Sequence, residues 1–312
     1  MATPEHIRER RAAERRRRRR ARGGVLAALA VLAVLVVAVV AGAFRGGGDG
    51  EVTRTTAERP AAPAPGPGPG AAKPVTATGD HRGPVPILMY HVVTAPKPGE
   101  AYPELWTPRE RFTATMELLK AKGYTGVTID QIHRAWNGGR GLPPKPVAVT
   151  FDDGYLSHYT HAKPTLRRLG WPGVLYLKGE SLGAGGLTTR QVRGMIAAGW
   201  EVGAHTISHP DLTTVDDATL VREIDGSREL LRRRLGVPVD AFCYPAGRND
   251  ERVRSAVEAA GFTTATTVEP GIAGRRDDPF ALPRIRVNGT DSPQTVLERV
   301  RTGAGAEGAY GA

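Results

Sequence analysis

Two short segments of the chain carry the side chains that a metal-dependent hydrolase needs. Residues 150–154 read Thr-Phe-Asp-Asp-Gly, and residues 205–209 read His-Thr-Ile-Ser-His. One carboxylate and two imidazoles can hold a catalytic divalent metal and still leave a position open for water. A second carboxylate beside that position can take a proton from the water. The two segments together therefore point to metal-assisted hydrolysis.

Each segment alone also has an ordinary structural interpretation. Asp-Gly is a common turn dipeptide, and acidic residues after a strand often cap the following helix. Two histidines four residues apart can be surface side chains, and Pro210 indicates that a loop or single turn carries them. Their joint occurrence after two predicted strands of one domain favours the catalytic interpretation.

The elements that position these segments are predicted from short apolar runs that alternate with helical patterns. The runs cover 85–90, 146–151, 173–177, 200–204, 241–244, 263–268 and 282–287. The predicted helices cover 107–122, 188–199, 215–235, 249–260 and 292–300, the first opening with a capping box from Thr107 to Glu110. This alternation predicts a parallel sheet, open or closed into a barrel, with catalytic groups at the carboxyl ends of the strands.

The first 84 residues predict a membrane anchor and a tether. Residues 1–24 hold ten Arg and three Glu, a net +7, which leaves only +4 of the total of +11 for the rest of the chain. Residues 25–44 carry no charge and no Pro. At about 1.5 Å per residue this run spans about 30 Å, the thickness of a bilayer's hydrocarbon core. Basic residues before it place the N-terminus in the cytoplasm and the remainder outside the cell. Residues 45–84, rich in Pro, Gly and Ala, are predicted to be a disordered linker.

The N-terminus has two other interpretations. Cleavage near Ala43, as in a signal peptide, would make the protein secreted instead of anchored. The arginine run lacks interleaved aromatic or polar side chains, which argues against a nucleic-acid partner.

A single cysteine, Cys243, excludes an internal disulfide. The folded domain is predicted at 85–301 with a flexible tail at 302–312, and no obligate protein partner is implied.

Taken together, the two segments resemble the polysaccharide deacetylase family, the NodB-homology carbohydrate esterases of family 4. Residues 150–154 match the family's first motif, and residues 205–209 match its second, H-[ST]-x-x-H. The resemblance covers roughly residues 85–290. It implies a distorted, incomplete (β/α) barrel, consistent with the predicted alternation.

The resemblance also implies roles for individual residues. It assigns Asp153, His205 and His209 to the metal and makes Asp152 the general base. Zinc is the default ion for two histidines and an aspartate, although Co²⁺, Ni²⁺ and Fe²⁺ accept the same ligands.

The third family motif, normally Arg-x-Pro-Tyr, is altered here. Residues 242–247 read Phe-Cys-Tyr-Pro-Ala-Gly, so Cys243 stands about where the Arg is expected and Ala246 where the Tyr is. The family uses a backbone N–H at that Tyr position to stabilise the oxyanion. Ala246 could still supply it, with Tyr244 shaping the pocket, unless the segment is simply a core strand. We expect Cys243 to be a small buried apolar residue.

The fourth motif lacks its usual Trp but contains two arginines in the right region. Arg284 and Arg286 are two apart on a predicted strand and therefore share one face. Either could orient Asp152 and keep it ionised, and we favour Arg284. Two solvated arginines are the alternative.

The general acid is the largest departure, because the family's late Leu-x-His is missing and no histidine follows His209. We propose His91 as the substitute, since an imidazole pKa near 6.5 suits an acid at neutral pH; a purely structural histidine is the alternative. The Met-Tyr-His segment at 89–91 resembles a subgroup that acts on poly-N-acetylglucosamine. His158 and His161 are expected to be exposed.

The sequence thus predicts a membrane-tethered, extracellular, metal-dependent N-deacetylase. Its substrate would be an N-acetylglucosamine-containing polysaccharide of the cell wall or outside it. A catalytically silent glycan-binding domain and an esterase for O-acetylated sugars are the alternatives. The four tryptophans are expected to pack in the core rather than to form a sugar-binding platform.

Overall fold

The computed structural model describes residues 79–183 and 185–305, in which strands and helices alternate. The strands are β1 (Ile87–Tyr90), β2 (Thr125–Val127), β3 (Pro146–Phe151), β4 (Val174–Leu177), β5 (Glu201–Ala204), β6 (Ala241–Cys243), β7 (Thr264–Pro270) and β8 (Leu282–Arg286). The α-helices are α1 (Arg109–Ala121), α2 (Ile129–Trp136), α3 (Lys163–Leu169), α4 (Thr189–Ile196), α5 (Asp217–Leu235), α6 (Glu251–Ala259) and α7 (Pro293–Thr302). Shorter helical segments cover Pro103–Leu105, His158–Ala162, Gly179–Ser181 and Pro245–Gly247.

Seven of these strands form a closed parallel barrel. The pairing runs β1-β8-β7-β6-β5-β4-β3, and β1 pairs with β3 to close the ring. Strand β2 pairs with the first half of β3, along the edge that β4 occupies further on, and so stays outside the ring. A register irregularity between β7 and β8 distorts the barrel. The predicted parallel (β/α) barrel is confirmed, and it is incomplete in having seven strands in the ring.

Each of the seven predicted apolar runs overlaps one barrel strand, whereas β2, α2 and α3 lie outside the predicted ranges. Strand β2 reads Thr-Gly-Val, which is not an apolar run. Helix α2 does have a signal, because Thr128 and Gln131 form a reciprocal capping box that a Thr-x-x-Gln search would have found.

The capping box predicted at Thr107 is wrong. Helix α1 begins at Arg109, its N-cap position is Pro108, and no side chain caps it. Thr107 is buried, and its backbone N–H donates to the carbonyl of Val92 at 2.8 Å. This hydrogen bond ties the segment before α1 to the end of β1.

Alternation along β3 decides which way the catalytic segment faces. Val147, Val149 and Phe151 join the core cluster that packs against the helices. Ala148 faces the opposite way, into a second cluster that joins side chains of ring strands β1, β4, β6 and β8 to side chains of β2 and α2. This side of β3 therefore faces the barrel interior. The side chain of Asp152 faces the same way as that of Ala148, because side chains two apart on a strand share a face. It therefore lies at the carboxyl-end mouth of the barrel.

The folded part begins earlier than the predicted boundary at residue 85. His81 and Leu142 exchange two backbone hydrogen bonds, of 3.1 and 2.9 Å, in an antiparallel bridge. The last residues of the predicted linker therefore belong to the fold, and at the other end α7 extends to Thr302. The predicted tail at 1–24 and the apolar run at 25–44 lie outside the described residues. Among the described helices, none combines the length and the apolar character needed to cross a bilayer.

Candidate active site

A cavity of about 350 Å³ opens at the carboxyl ends of the barrel strands. Both sequence segments reach it, although β3 and β5 are separated by some fifty residues of chain. Its walls consist of His91, Tyr102, Leu105, Asp152, Asp153, His205, His209, Pro210, Asp211, Tyr244, Pro245, Ala246, Arg248, Val268 and Arg284. The eight residues that the sequence favoured for a catalytic, oxyanion or metal-binding role are all among them.

Asp153, His205 and His209 come together on one side of this cavity. The Oδ1 atom of Asp153 lies 3.8 Å from Nε2 of His205 and 3.7 Å from Nε2 of His209. One ligand atom from each of the three residues lies within 4.8 Å of the other two. The arrangement is compact enough for all three side chains to bind a single ion.

The donor chemistry of this cluster fits a cation. Nδ1 of His205 lies 2.7 Å from the carbonyl oxygen of Cys243. Because a carbonyl only accepts hydrogen bonds, Nδ1 carries the hydrogen and Nε2 of the neutral ring keeps its lone pair. Nε2 then faces a carboxylate oxygen of Asp153, so two acceptors point at each other across 3.8 Å. A divalent metal between them would satisfy both, and the Cys243 carbonyl is the kind of outer partner that orients a metal-binding histidine.

Backbone conformation at the cluster is unusual. Asp153, Thr206 and His209 have positive φ angles of 75°, 63° and 64°. Non-glycine residues rarely adopt this left-handed region, and such strain concentrates at functional sites. Gly154 follows with φ of 84°, and a Cβ there would collide with Cδ1 of Leu177. The left-handed backbone and this contact together favour glycine at the turn.

Asp152 lies deeper than Asp153 and is paired with Arg284. Two guanidinium nitrogens donate to its two carboxylate oxygens, each at 2.8 Å, and both side chains are buried. Nε of Arg284 donates to the carbonyl of Thr267 at 2.7 Å, which fixes the orientation of the guanidinium group. Burial alone would raise the pKa of Asp152, but the charge and hydrogen bonds of Arg284 outweigh it and hold the pKa well below its usual range. Asp152 is therefore an ionised carboxylate in a fixed position.

This pairing also selects between the two possible metal groups. Asp152, His205 and Cys243 offer a second set of atoms within 4.8 Å. However, both oxygens of Asp152 are engaged by Arg284, and burial raises the pKa of the Cys243 thiol, which keeps it protonated. The Asp153 set is the better cation site.

His91 lies beside Asp152, with its Nε2 atom 3.8 Å from Oδ2 of the carboxylate. Burial lowers the pKa of His91, although the charges of Asp152 and Asp153 oppose the shift. The acid role predicted for His91 assumes a pKa near the ordinary value of an imidazole. The resting imidazole is instead neutral at pH 7, so His91 must gain a proton during the reaction before it can donate one.

The segment after β6 forms another part of the cavity wall. Tyr244 is buried and donates from its hydroxyl to the carbonyl of Phe280 at 2.9 Å. Ala246 has a left-handed backbone, with φ of 52°, at the edge of the cavity. Cys243 is buried within the second apolar cluster, as expected, and its Sγ atom also lies 3.1 Å from a guanidinium nitrogen of Arg284.

Arg286 has a different partner from Arg284. It lies two residues further along β8, where it pairs in register with Met89 of β1. Its guanidinium is 3.7 Å from Glu104, so it is not a solvated arginine. The expectation that Arg284 rather than Arg286 contacts Asp152 agrees with the geometry.

The expectation that His158 is exposed is wrong. It is fully buried in a π-helical segment, and its Nε2 lies 2.5 Å from the carbonyl of His91. Nδ1 of His161 lies 2.7 Å from the carbonyl of Val93. Burial lowers the pKa of His158 to about 4, so it is neutral. These two histidines hold the end of β1, and with it His91, against the segment after Gly154.

Several site residues were missed by the sequence argument. Lys178 follows β4 directly, and its Nζ lies 3.6 Å from Oδ1 of Asp153, so the strand-end rule could have found it. Tyr102 is 63% exposed at the cavity mouth, in a loop with no sequence pattern. Trp136, Trp171 and Trp200 are buried in the core, as expected, whereas Trp106 is only half-buried.

Comparison with known proteins agrees with this geometry. The family model described as polysaccharide deacetylase matches residues 139–265. The chain is 31% identical over 205 residues to YxkH of Bacillus subtilis (strain 168), which is named as a polysaccharide deacetylase; the match covers 65% of this chain and 71% of that protein. A stretch of 66 residues is 50% identical to the poly-beta-1,6-N-acetyl-D-glucosamine N-deacetylase of Escherichia coli (strain K12). This second match covers 21% of this chain and only 9% of that protein.

Solved structures show the same fold. A deacetylase from Streptococcus pyogenes in complex with acetate superposes with a TM-score of 0.65 at 26% identity, covering 69% of this chain and 97% of that one. A polysaccharide deacetylase from Bacillus cereus superposes with a TM-score of 0.63 at 27% identity, covering 70% of this chain and 69% of that one. As its two motifs indicated, the chain belongs to the polysaccharide deacetylase family and is a hydrolase of the class that removes acetyl groups from polysaccharides.

Proposed function

We propose that this protein is a metal-dependent N-deacetylase that acts on N-acetylglucosamine residues of an extracellular or cell-wall polysaccharide. One observation carries the proposal: Asp153, His205 and His209 converge beside the buried, ionised Asp152. A cluster built only for stability would not need a second carboxylate facing the same cavity.

Asp153, His205 and His209 would hold the metal. When bound, a zinc ion in such a site supplies Lewis-acid polarisation of a carbonyl group and lowers the pKa of nearby water. Zinc is the first choice, and Co²⁺, Ni²⁺ and Fe²⁺ are the other ions that this ligand set accepts.

The remaining roles belong to side chains and backbone around Asp152. Asp152 accepts the proton of the attacking water, and Arg284 holds it in place. The backbone N–H of Ala246 stabilises the negative charge on the acetyl oxygen, and Tyr244 shapes the adjoining wall. His91 returns a proton to the departing amine. Its 3.8 Å distance from Asp152 supports transfer of the proton from carboxylate to imidazole before the carbon–nitrogen bond breaks.

The choice of an N-acetylglucosamine polymer rests on two observations. The stretch shared with the Escherichia coli enzyme is half identical, although it is short. The cavity is open on one side, and Tyr102 presents an exposed aromatic face at its mouth. Aromatic faces suit the apolar faces of sugar rings.

The test is acetate release by the purified full chain. Substrates would be poly-β-1,6-N-acetylglucosamine, chitin oligosaccharides and O-acetylated xylan, each measured with wild type and Asp153→Ala. We expect release from the N-acetylated polymers, loss on treatment with a chelator and recovery with zinc. Release from the O-acetylated substrate alone would identify an esterase. Binding without any release would identify a silent glycan-binding domain.

We further propose that residues 25–44 anchor the protein in the cell membrane, with the catalytic domain outside. The support is the sequence alone: its apolar length and the arginines before it. Cell fractionation followed by protease treatment of intact cells tests this. A domain that is membrane-bound and digested from outside supports the proposal, whereas release of a shortened chain beginning near residue 44 supports cleavage and secretion.

A further inference from the structure

We infer that Glu223 is a positioning residue for the metal site, which it serves by fixing the backbone between His205 and His209. Glu223 lies on α5, one layer outside the cavity, and is only 6% exposed. It is neither a proposed ligand nor a wall of the cavity. The inference rests on the proposed function, because it gives Glu223 a role in metal binding.

The carboxylate of Glu223 accepts three hydrogen bonds from the loop that joins the two histidines. Its Oε2 atom accepts from the backbone N–H groups of Ile207 and Ser208, each at 2.9 Å. Its Oε1 atom accepts from the hydroxyl of Ser208 at 2.8 Å. All three donors thus lie between the two proposed ligands.

The opposite side of the same loop is held by the short helical segment after β4. The backbone N–H groups of Gly179 and Glu180 donate to the carbonyls of Thr206 and Ile207, each at 3.0 Å. The loop backbone is therefore held from two sides. Its carbonyls accept hydrogen bonds from the segment after β4, and its N–H groups donate to the carboxylate of Glu223.

The loop needs such a clamp because it does not hold its own shape. Thr206 and His209 have left-handed backbone angles, which are strained for residues other than glycine. Within the loop, the hydroxyl of Thr206 accepts from the N–H of His209 at 2.9 Å. Without external hydrogen bonds, the loop would relax toward ordinary backbone angles. His209, the half-exposed ligand at its end, would then move away from Asp153 and His205.

Hydrogen bonding, not net charge, is the feature that the loop uses. Glu223 forms no ion pair with a lysine or arginine in the described part of the chain. A glutamine at this position can reproduce all three bonds: its amide oxygen accepts from the two N–H groups, and its NH₂ group donates to the oxygen of Ser208. Alanine removes all three.

The experiment measures the zinc affinity of the purified metal-free full chain by competition with a chelating dye. The variants are Glu223→Ala, Glu223→Gln and a control, Glu229→Ala, whose exposed glutamate lies on the same helix and pairs with Arg233. We expect Glu223→Ala to weaken zinc binding by about 10- to 100-fold, the usual effect of removing an outer partner of a metal ligand. Glu223→Gln should stay within about threefold of wild type under the same reasoning, and Glu229→Ala should be unchanged.

A second measurement separates positioning from general stability. At saturating zinc, kcat of Glu223→Ala should recover toward the wild-type value, since the chemical groups remain in place. A folded Glu223→Ala protein that binds zinc as tightly as wild type overturns the inference, as does a glutamine variant as weak as the alanine variant. If the alanine variant does not fold, Glu223→Asp decides. It keeps the charge but is too short to reach the loop, so wild-type zinc affinity in this variant also overturns the inference.

Failure of the inference is distinguishable from failure of the proposed function. If the wild-type chain releases acetate but binds no zinc, and chelators do not inhibit it, the metal centre itself is wrong, whatever the variants show. If wild type binds zinc and Glu223→Ala binds it equally well, only the role of Glu223 is lost.

Discussion

The two neighbouring aspartates occupy very different halves of one site. In the Asp152 half, the carboxylate and Arg284 are 3% and 0% exposed and are joined by a two-pronged ion pair. In the Asp153 half, the carboxylate is 12% exposed and His209 is 34% exposed. Three left-handed residues surround this second half. Adjacent positions in the chain therefore have opposite surroundings.

The difference matches what each half must do. A general base has to keep one charge in one place, and a dry, hydrogen-bonded ion pair does this. A metal site has to admit an ion, water and substrate, which requires open space and ligands that approach from several directions. The turn at Asp153 and Gly154 separates the two side chains, so that one faces into the barrel and the other toward the rim.

Substituting each aspartate in turn should give the largest effects on activity and should distinguish the two halves of the site. Asp152→Asn keeps the metal ligands but lacks a base, so kcat should fall by about 10²- to 10⁴-fold, and added zinc should not restore it. Asp153→Asn weakens metal binding, so its activity should recover in part as zinc is raised. Steady-state rates measured over a zinc series check both. Zinc rescue of Asp152→Asn would contradict the division of roles.

Arg284→Met should leave the buried charge of Asp152 unpaired. The free energy of unfolding, measured by urea denaturation near pH 7, should fall by about 3–5 kcal/mol. Combining it with Asp152→Asn should recover much of this loss, because the pair is then removed together. Arg286→Met, on the same strand but paired with Glu104, is the matched control and should not share this rescue.

The same substitution should also change the pH dependence. In wild type, Arg284 keeps the pKa of Asp152 below its unfolded value, so the ion pair contributes stability above that value and loses it as pH falls. Without Arg284, the effect of burial is opposed only by the smaller contributions of His91 and His205, so the pKa of Asp152 rises. The acidic limb of kcat/KM should therefore move to higher pH. An unchanged limb would show that Arg284 does not control the protonation of Asp152.

Tyr102 tests the open half of the site at its mouth. Loss of an aromatic contact worth about 0.5–1.5 kcal/mol should raise KM for the polymer by about 2- to 12-fold in Tyr102→Ala. Tyr102→Phe keeps the ring and should behave like wild type. Hydrolysis of a small acetyl ester, which does not reach the mouth, should be the same in all three proteins. Equal losses on polymer and small ester would instead indicate a disturbed loop.

Lys178 should give the smallest effect. Its ammonium lies 3.6 Å from Oδ1 of Asp153 and opposes entry of a divalent cation. Because ion pairs near the surface are worth about 0.2–1 kcal/mol, Lys178→Met should tighten zinc binding by no more than about fivefold. Lys120→Met, on α1, serves as the control. Weaker zinc binding in Lys178→Met would show that the lysine supports Asp153 rather than competing with the metal.

The sequence predicted much of the fold because the barrel strands are local apolar runs. Each predicted run overlaps a strand, and polar residues after β3 and β5 had to meet at one rim. Strand β2 was not predicted, since its residues Thr-Gly-Val form no apolar run. The exposure of His158 was also mispredicted, because its burial depends on the end of β1, a segment 67 positions away.

By itself, the sequence determined which ligand types the site contains and that they stand at strand ends, because both follow from local pattern and parallel topology. Only the tertiary structure decided which aspartate is held in a buried ion pair and which lies in the more open part of the cavity. Arg284 and Arg286 share a face, so alternation could not choose between them. The choice depends on how β8 lines up with its neighbours, which places Arg284 against a carboxylate 132 residues away in the chain. Clamping of the histidine loop by Glu223 is another such contact, formed by a helix packed outside the barrel. Burial and the charges of residues distant in sequence set the directions in which the pKa values of Asp152 and His91 shift. The residues next to them in the sequence do not reveal these directions.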